Sequence, residues 1–135
     1  MTDDVFQRLQ EYVGREYLPG RYDCAHLAAD VQADLFGRRV GLPGTHPGGT
    51  AGQRRVINEL RDELATEVAV PFPGCAVLLT EQTAEGELLH IGTVALRHGE
   101  PWVLHNSAKL GSAHLHRLND LQRFGMHFLG WFEWK

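Results

Sequence analysis

The stretch Arg21-Tyr22-Asp23-Cys24-Ala25-His26-Leu27-Ala28-Ala29-Asp30-Val31 constrains this chain more than any other. It places a cysteine at the first turn of an amphipathic helix. Asp23 suits the N-cap, because its carboxylate accepts hydrogen bonds from the unpaired backbone N–H groups of the first turn. Cys24, Leu27, Ala28, Val31 and Leu35 recur at helical spacing, so the thiol is expected on the inward face, and Gly37 supplies the stop. A thiol at that end of a helix feels the positive pole of the macrodipole, which favours the nucleophilic thiolate. The competing reading is a small buried residue that fills space.

At 135 residues the chain fits one domain with a real core, spanning residues 1–135. Thirteen basic against 17 acidic residues give a net charge of −4, and no basic stretch stands out. Generic binding to a nucleic-acid backbone is therefore not expected. The N-terminus, Met-Thr-Asp-Asp, opens on acids where a secretory signal carries positive charge before an apolar run. No apolar run reaches transmembrane length, so no membrane partner is expected. Synthesis in the cytoplasm is the expectation, with any later action in periplasm or cell wall depending on assembly or injection. The two cysteines allow one disulfide at most, and a cytosolic chain is expected to keep them reduced.

Helices are expected first and strands second. The first helix spans residues 3–13, with Phe6, Leu9 and Val13 on one face. The second starts at Cys24. Residues 38–52 are rich in Gly, Pro and Thr and read as a loop, whose segment 40–50 could edge a cleft. A third helix over 50–65 has Thr50 and Gln53 as a capping box and Val56, Ile57, Leu60 and Leu64 as its stripe. The period then becomes extended. Strands are expected at Cys75–Leu79, Leu88–Leu96, Trp102–Asn106, His114–Leu118 and Met126–Trp134, with turns at Glu85-Gly86, His98-Gly99-Glu100-Pro101 and Lys109-Leu110-Gly111-Ser112. This order belongs to the α+β class, helices packed on an antiparallel sheet.

A cysteine nucleophile needs a base, and the base needs an orienting partner. His90 lies in the mostly apolar strand Leu88-Leu89-His90-Ile91-Gly92-Thr93-Val94, and His105 ends the next apolar run. If those strands pair as a hairpin, the two histidines can stand side by side on one face. His90 would then take the Cys24 proton while His105 holds its other nitrogen. Three alternatives stay open at this point: a satisfied core cysteine with two strand histidines, a Cys24–Cys75 disulfide, and a zinc site of Cys24, His90 and His105. Cys75 reads as a small hydrophobe in a strand. His114 and His116 share one side of their strand and read as solvent-facing, with a peripheral metal or substrate contact as the alternative, while His46, His98 and His127 read as loop or surface residues. Trp102, Trp131, Phe132 and Trp134 read as core.

These motifs together resemble the NlpC/P60 cysteine peptidases in their small, phage-tail or prophage-associated form, over roughly residues 14–135. The family's aromatic-Asp-Cys opening is matched by Tyr22-Asp23-Cys24-Ala25-His26-Leu27. Its Pro-Gly-Asp is matched by Pro73-Gly74-Cys75, its His-Val/Ile-Gly by His90-Ile91-Gly92, and its third polar residue by His105-Asn106-Ser107. The resemblance implies a papain-like fold and a thiol hydrolase with a Cys24, His90 and His105 triad. It implies cleavage of amide bonds in peptidoglycan stem peptides, with no cofactor and no metal. Tyr17 is the nearest match to the tyrosine of the family's oxyanion region, with Tyr12 or Tyr22 as substitutes, and Asp23 supports the helix start. Cys75 stands where the family has an acid, and His26 where it has a small residue. A phage tail or an injecting machine would be the delivery partner. Rival expectations are a silent structural tail-tip protein, or an acyltransferase or amidase acting on another substrate.

Overall fold

The helix that carries Cys24 is built as its sequence dictates. In the computed structural model, which describes residues 2–40, 65–84 and 86–135, α2 spans Cys24–Phe36. Asp23 Oδ1 accepts from the backbone N–H of Ala25 at 3.0 Å and of His26 at 3.2 Å. The His26 ring folds back to Asp23, with Nδ1 2.8 Å from Oδ1, and completes a capping box. His26 thus acts as part of the cap. Gly37 ends the helix in the left-handed conformation (φ 61°, ψ 22°), where glycine carries no Cβ penalty. The preceding α1, Thr2–Leu9, is shorter than expected and tightens into a 3-10 turn over Gln10–Tyr12. Phe6, Leu9 and Tyr12 are its buried face.

Six strands follow: β1 Ala65–Val68, β2 Ala76–Thr83, β3 Gly86–Arg97, β4 Glu100–Asn106, β5 Ala113–Arg117 and β6 Met126–Trp134. All neighbours pair antiparallel, in the order β1-β6-β2-β3-β4-β5. The α+β class is therefore as expected. Two elements differ from expectation. Ala65 opens a strand against Trp134, where a helix end was expected. Residues Leu118–Phe124 form a 3-10 segment that packs under the sheet, so the fourth expected strand stops at Arg117. The expected loop at 41–50, and the third helix apart from Ala65, lie outside the described residues. Among the described residues no helix is long and apolar enough to cross a membrane.

Strand alternation sorts the interior into two faces. Toward the helices, Cys24 and Ala28 pack with Ala76, Leu78, Ile91, Phe132 and Trp134, while Leu27 and Val31 pack with Phe6, Leu9, Ala95 and Leu104. On the other face Cys75, Val77, Leu79, Val94 and Val103 close against Leu121 and Met126. The two cysteines thus lie on opposite faces, and both are free thiols.

β3 and β4 are joined by a two-residue turn, His98-Gly99, with both φ values positive (52° and 77°). That is the turn whose twist matches a hairpin. Their pairing runs from Arg97–Glu100 to Thr93–Leu104 and stops, although β3 continues back to Gly86 and β4 on to Asn106. A gap opens between them. At its edge Gly92 lies so close to β4 that a Cβ there would overlap Val103 Cγ1 and come within 3.0 Å of the Leu104 carbonyl. Gly92→Ala is expected to destabilise the fold by about 1–3 kcal/mol through overpacking. Urea unfolding checks this, and unchanged stability would show that the strands do not need this close approach.

Candidate active site

The end of the β3–β4 pairing is where the candidate side chains lie. Backbone N–H groups point alternately to the two sides of a strand. Val94 N–H bonds to Cys75 O at 2.9 Å, toward β2, so the N–H of Ile91, three residues earlier, points toward β4's side. There β4 has parted from β3. The Cys24 sulfur takes that place and accepts the Ile91 N–H as well as the N–H of Ala25. A thiol on the helix N-terminus thus stands in for a missing strand carbonyl.

The histidines come from the opposite face. Residues paired directly across an antiparallel ladder share a face, and His90 pairs with Leu79, which belongs to the cluster away from the helices. His90 Nε2 lies 3.1 Å from His105 Nδ1. His105 Nε2 in turn lies 3.0 Å from His116 Nδ1. His116 stacks on Phe124 of the 3-10 segment and on His114. His90 and His105 are fully buried, and His116 is half-buried. The expected pairing of His90 with His105 is therefore present, whereas His116 is not the solvent-facing residue it was taken for. His90 Nδ1 has no hydrogen-bond partner among the described residues. Its nearest charged neighbour is the Glu81 carboxylate, 4.0 Å away. No bond joins it to the thiol.

A cavity of about 40 Å³ lies at the gap, lined by Tyr17, Glu81, Leu88, His90, Asn106, Ser107, Ala108 and Lys109. It has room for little more than one or two waters. Asn106 Oδ1, like His90 Nδ1, is buried there without a partner, while its amide donates to Tyr22 O at 3.0 Å. Glu81, itself buried, accepts from Ser107 Oγ at 2.7 Å, and Ser107 Oγ accepts from Lys109 N at 3.1 Å. The three tyrosines separate clearly. Tyr12 donates to Asp34 at 2.9 Å. The Tyr22 hydroxyl is held between Arg15 at 2.8 Å and Asp30 at 2.9 Å, and Tyr22 does not line the cavity. Tyr17 lines the cavity, and its hydroxyl is pushed up to about 12, chiefly by burial and further by its acidic neighbours, Cys24 when ionised and the Asp23 and Glu81 carboxylates.

The electrostatics correct one expectation. Burial pushes the Cys24 thiol well above its ordinary range, and the Asp23 and Glu81 carboxylates push it further. The N–H groups of Ile91 and Ala25 pull the other way but do not prevail. A helix terminus contributes about 0.3–1 kcal/mol, under one pKa unit, whereas full burial moves a group by up to about 3–5 units. Cys24 therefore rests as a neutral thiol. Burial likewise lowers His90, against Glu81 and Asp23, and holds His105 well below the usual histidine value. Cys75 is raised to about 11 by burial and is inert packing. Among the described residues no group of three or more His, Cys, Asp or Glu is arranged to hold a metal ion, so Cys24, His90 and His105 do not form the zinc alternative.

Glu81, Asn106 and His116 join the candidate site in places the sequence does not single out for them: Glu81 goes unnamed, Asn106 only follows His105 in a motif, and His116 reads as solvent-facing. The alternation Val77-Leu79-Glu81 does signal a carboxylate on a buried face. His116 follows from folding the chain about Lys109–Ser112, which sets it diagonally across from His105. Comparison with family models, with curated proteins and with solved structures yields no match.

Asp23→Asn tests the electrostatic account. Asparagine caps a helix as well as aspartate does, yet it removes the negative charge that disfavours thiolate. The midpoint of the pH–rate curve for Cys24 alkylation, read by mass spectrometry, is expected to move to lower pH. A midpoint that stays or rises would show that Asp23 does not set the thiol's state.

Proposed function

We propose that this chain is a thiol hydrolase of papain-like, NlpC/P60-like arrangement that cleaves amide bonds. The carrying observation is His90: a buried imidazole whose Nδ1 is unpartnered beside a polar cavity, while its Nε2 is held by a second histidine. An unpaired buried nitrogen costs folding free energy, and a base waiting for a substrate-bound proton accounts for keeping one. Cys24 enters the same gap from the helix side. Because thiol and imidazole rest neutral, the chemistry is general-base attack: His90 takes the thiol proton as sulfur adds to the carbonyl, then returns it to the leaving amine. Water completes the second half-reaction by hydrolysing the thioester. The backbone N–H of Cys24 at the helix start, with the Tyr17 hydroxyl, is the natural donor pair for the oxyanion.

Peptidoglycan stem peptides are the proposed substrate and a phage tail or injection machine the proposed route. Both rest on the sequence resemblance at Tyr22–Leu27, Pro73–Cys75, His90–Gly92 and His105–Ser107. A second reading, a silent structural tail-tip component, is favoured by the depth of the thiol, 2% exposed. An acyltransferase or amidase on another substrate would use the same residues.

Incubation of purified cell wall with the protein, followed by analysis of released peptides, decides among these. The peptidase reading expects new amine termini with the wild type and none with Cys24→Ala, whose folded state is checked by its circular dichroism and urea midpoint. His90→Asn is expected to lose about 10²–10⁴-fold or more, the scale of general acid–base catalysis. His105→Asn keeps measurable activity, since an amide can still hold Nε2. No release by the wild type, or full activity in Cys24→Ala, contradicts the reading.

A further inference from the structure

We infer that His90, His105 and His116 form a proton relay that connects the buried cavity with the outer, half-buried end of the histidine row. The geometry requires three rings in series. Nε2 of His90 meets Nδ1 of His105 at 3.1 Å, and Nε2 of His105 meets Nδ1 of His116 at 3.0 Å. Each contact joins two ring nitrogens, so one must carry a proton and the other must not. Three neutral rings can satisfy both contacts in only two ways, with every Nε2 protonated or with every Nδ1 protonated. The row flips as a unit.

In the first arrangement His90 Nδ1 is bare and faces the cavity, ready to accept. When it takes a proton, the N–H forms there, and the His90 Nε2 proton passes to His105 Nδ1. The His105 Nε2 proton then passes to His116 Nδ1, and the His116 Nε2 proton leaves to water. One proton enters, one leaves, and each ring again holds one proton in the opposite tautomer. The benefit is electrostatic. A buried imidazolium at His90 or His105 is costly to desolvate, and the relay places the positive charge at the half-buried ring instead. Stacking between His114 (centroids 5.4 Å, planes 11° apart) and Phe124 (4.6 Å) fixes the His116 ring so that Nδ1 stays aimed at His105. His116 is therefore a positioning residue, acting through His105. For its use in catalysis the relay rests on the hydrolase reading above; its existence does not.

The charged and titratable groups facing the row are Glu81 of β2 and Asp23 of the α2 cap at His90, with Tyr17 and Lys109 across the cavity from it, and His114 of β5 and Asp120 of the 3-10 segment at the outer end. The test uses the full chain labelled with ring-¹⁵N histidine. Long-range ¹H–¹⁵N correlation spectra are recorded from about pH 5 to 9 for the wild type, His116→Phe and His116→Asn. Phe keeps the stacking and removes both nitrogens. Asn can accept from His105 Nε2–H but cannot pass a proton on. In the wild type the ring nitrogens of His90 and His105 are expected to shift with His116 through one common midpoint. In both variants that shared titration is expected to vanish from His90 and His105, which stay neutral to at least one pH unit lower, with the amide spectrum unchanged. Independent titration in the wild type, or an unchanged midpoint at His90 and His105 in either variant, overturns the relay. Failure of the wild type to cleave cell wall would overturn the hydrolase reading without altering these spectra.

Discussion

The hydrogen bond from the Ile91 N–H to the Cys24 sulfur is the contact on which the site depends. It exists because β4 leaves β3 beyond Thr93 and leaves the Ile91 N–H of β3 uncovered. Uncovered donors in a protein interior must be satisfied. The first residue of α2 fills the vacancy, which fixes both the depth and the rotation of the helix against the sheet. The same parting of strands frees His90 and His105 from the close packing of a continuous ladder and leaves the cavity between Tyr17, Glu81 and Asn106. One irregularity in the sheet thus has a thiol from one face at the Ile91 N–H and an imidazole row on the other face beginning at the neighbouring residue, His90.

Two demands on the helix start work against each other there. Asp23 is buried and is the cap on which α2 depends, accepting two backbone N–H groups. Its charge nevertheless opposes ionisation of the next residue, and desolvation opposes it more strongly. The helix pole is too weak to compensate. A stable helix start and a standing thiolate are therefore not obtained together, and the chain keeps the former. A neutral, buried imidazole open at Nδ1 and a neutral thiol are compatible in one interior, because neither group carries an uncompensated buried charge.

Much of this arrangement was legible in the sequence. Asp23, the spacing of Cys24, Leu27, Ala28 and Val31, and Gly37 define α2 to the residue, since capping and helical period are local properties. The alternation in β3 and β4 with the turn at His98-Gly99 gave the hairpin, and with it the approach of His90 to His105. The face of the sheet was not legible. Whether an even or odd position of β3 meets the helices depends on which elements cover each side, and the 3-10 segment Leu118–Phe124 that covers the histidine side carries no strong periodic signal. For the same reason His116 and Glu81 were missed. Strand β1 was obscured because Ala65–Val68 is a short edge strand, specified by its pairing with β6 rather than by its own composition. The thiol's ionisation was misjudged because burial, a tertiary quantity, outweighs the helix terminus, a local one.

The central claim is that Cys24 and His90 act together across the gap on an amide substrate. Acid quench of the protein shortly after mixing with purified peptidoglycan fragments, followed by mass spectrometry of the Cys24 peptide, tests it most directly. The account predicts a hydroxylamine-labile acyl adduct on Cys24 in the wild type that fails to form in His90→Asn. Release of peptides with no adduct on Cys24, or an adduct that forms equally well without His90, would contradict it.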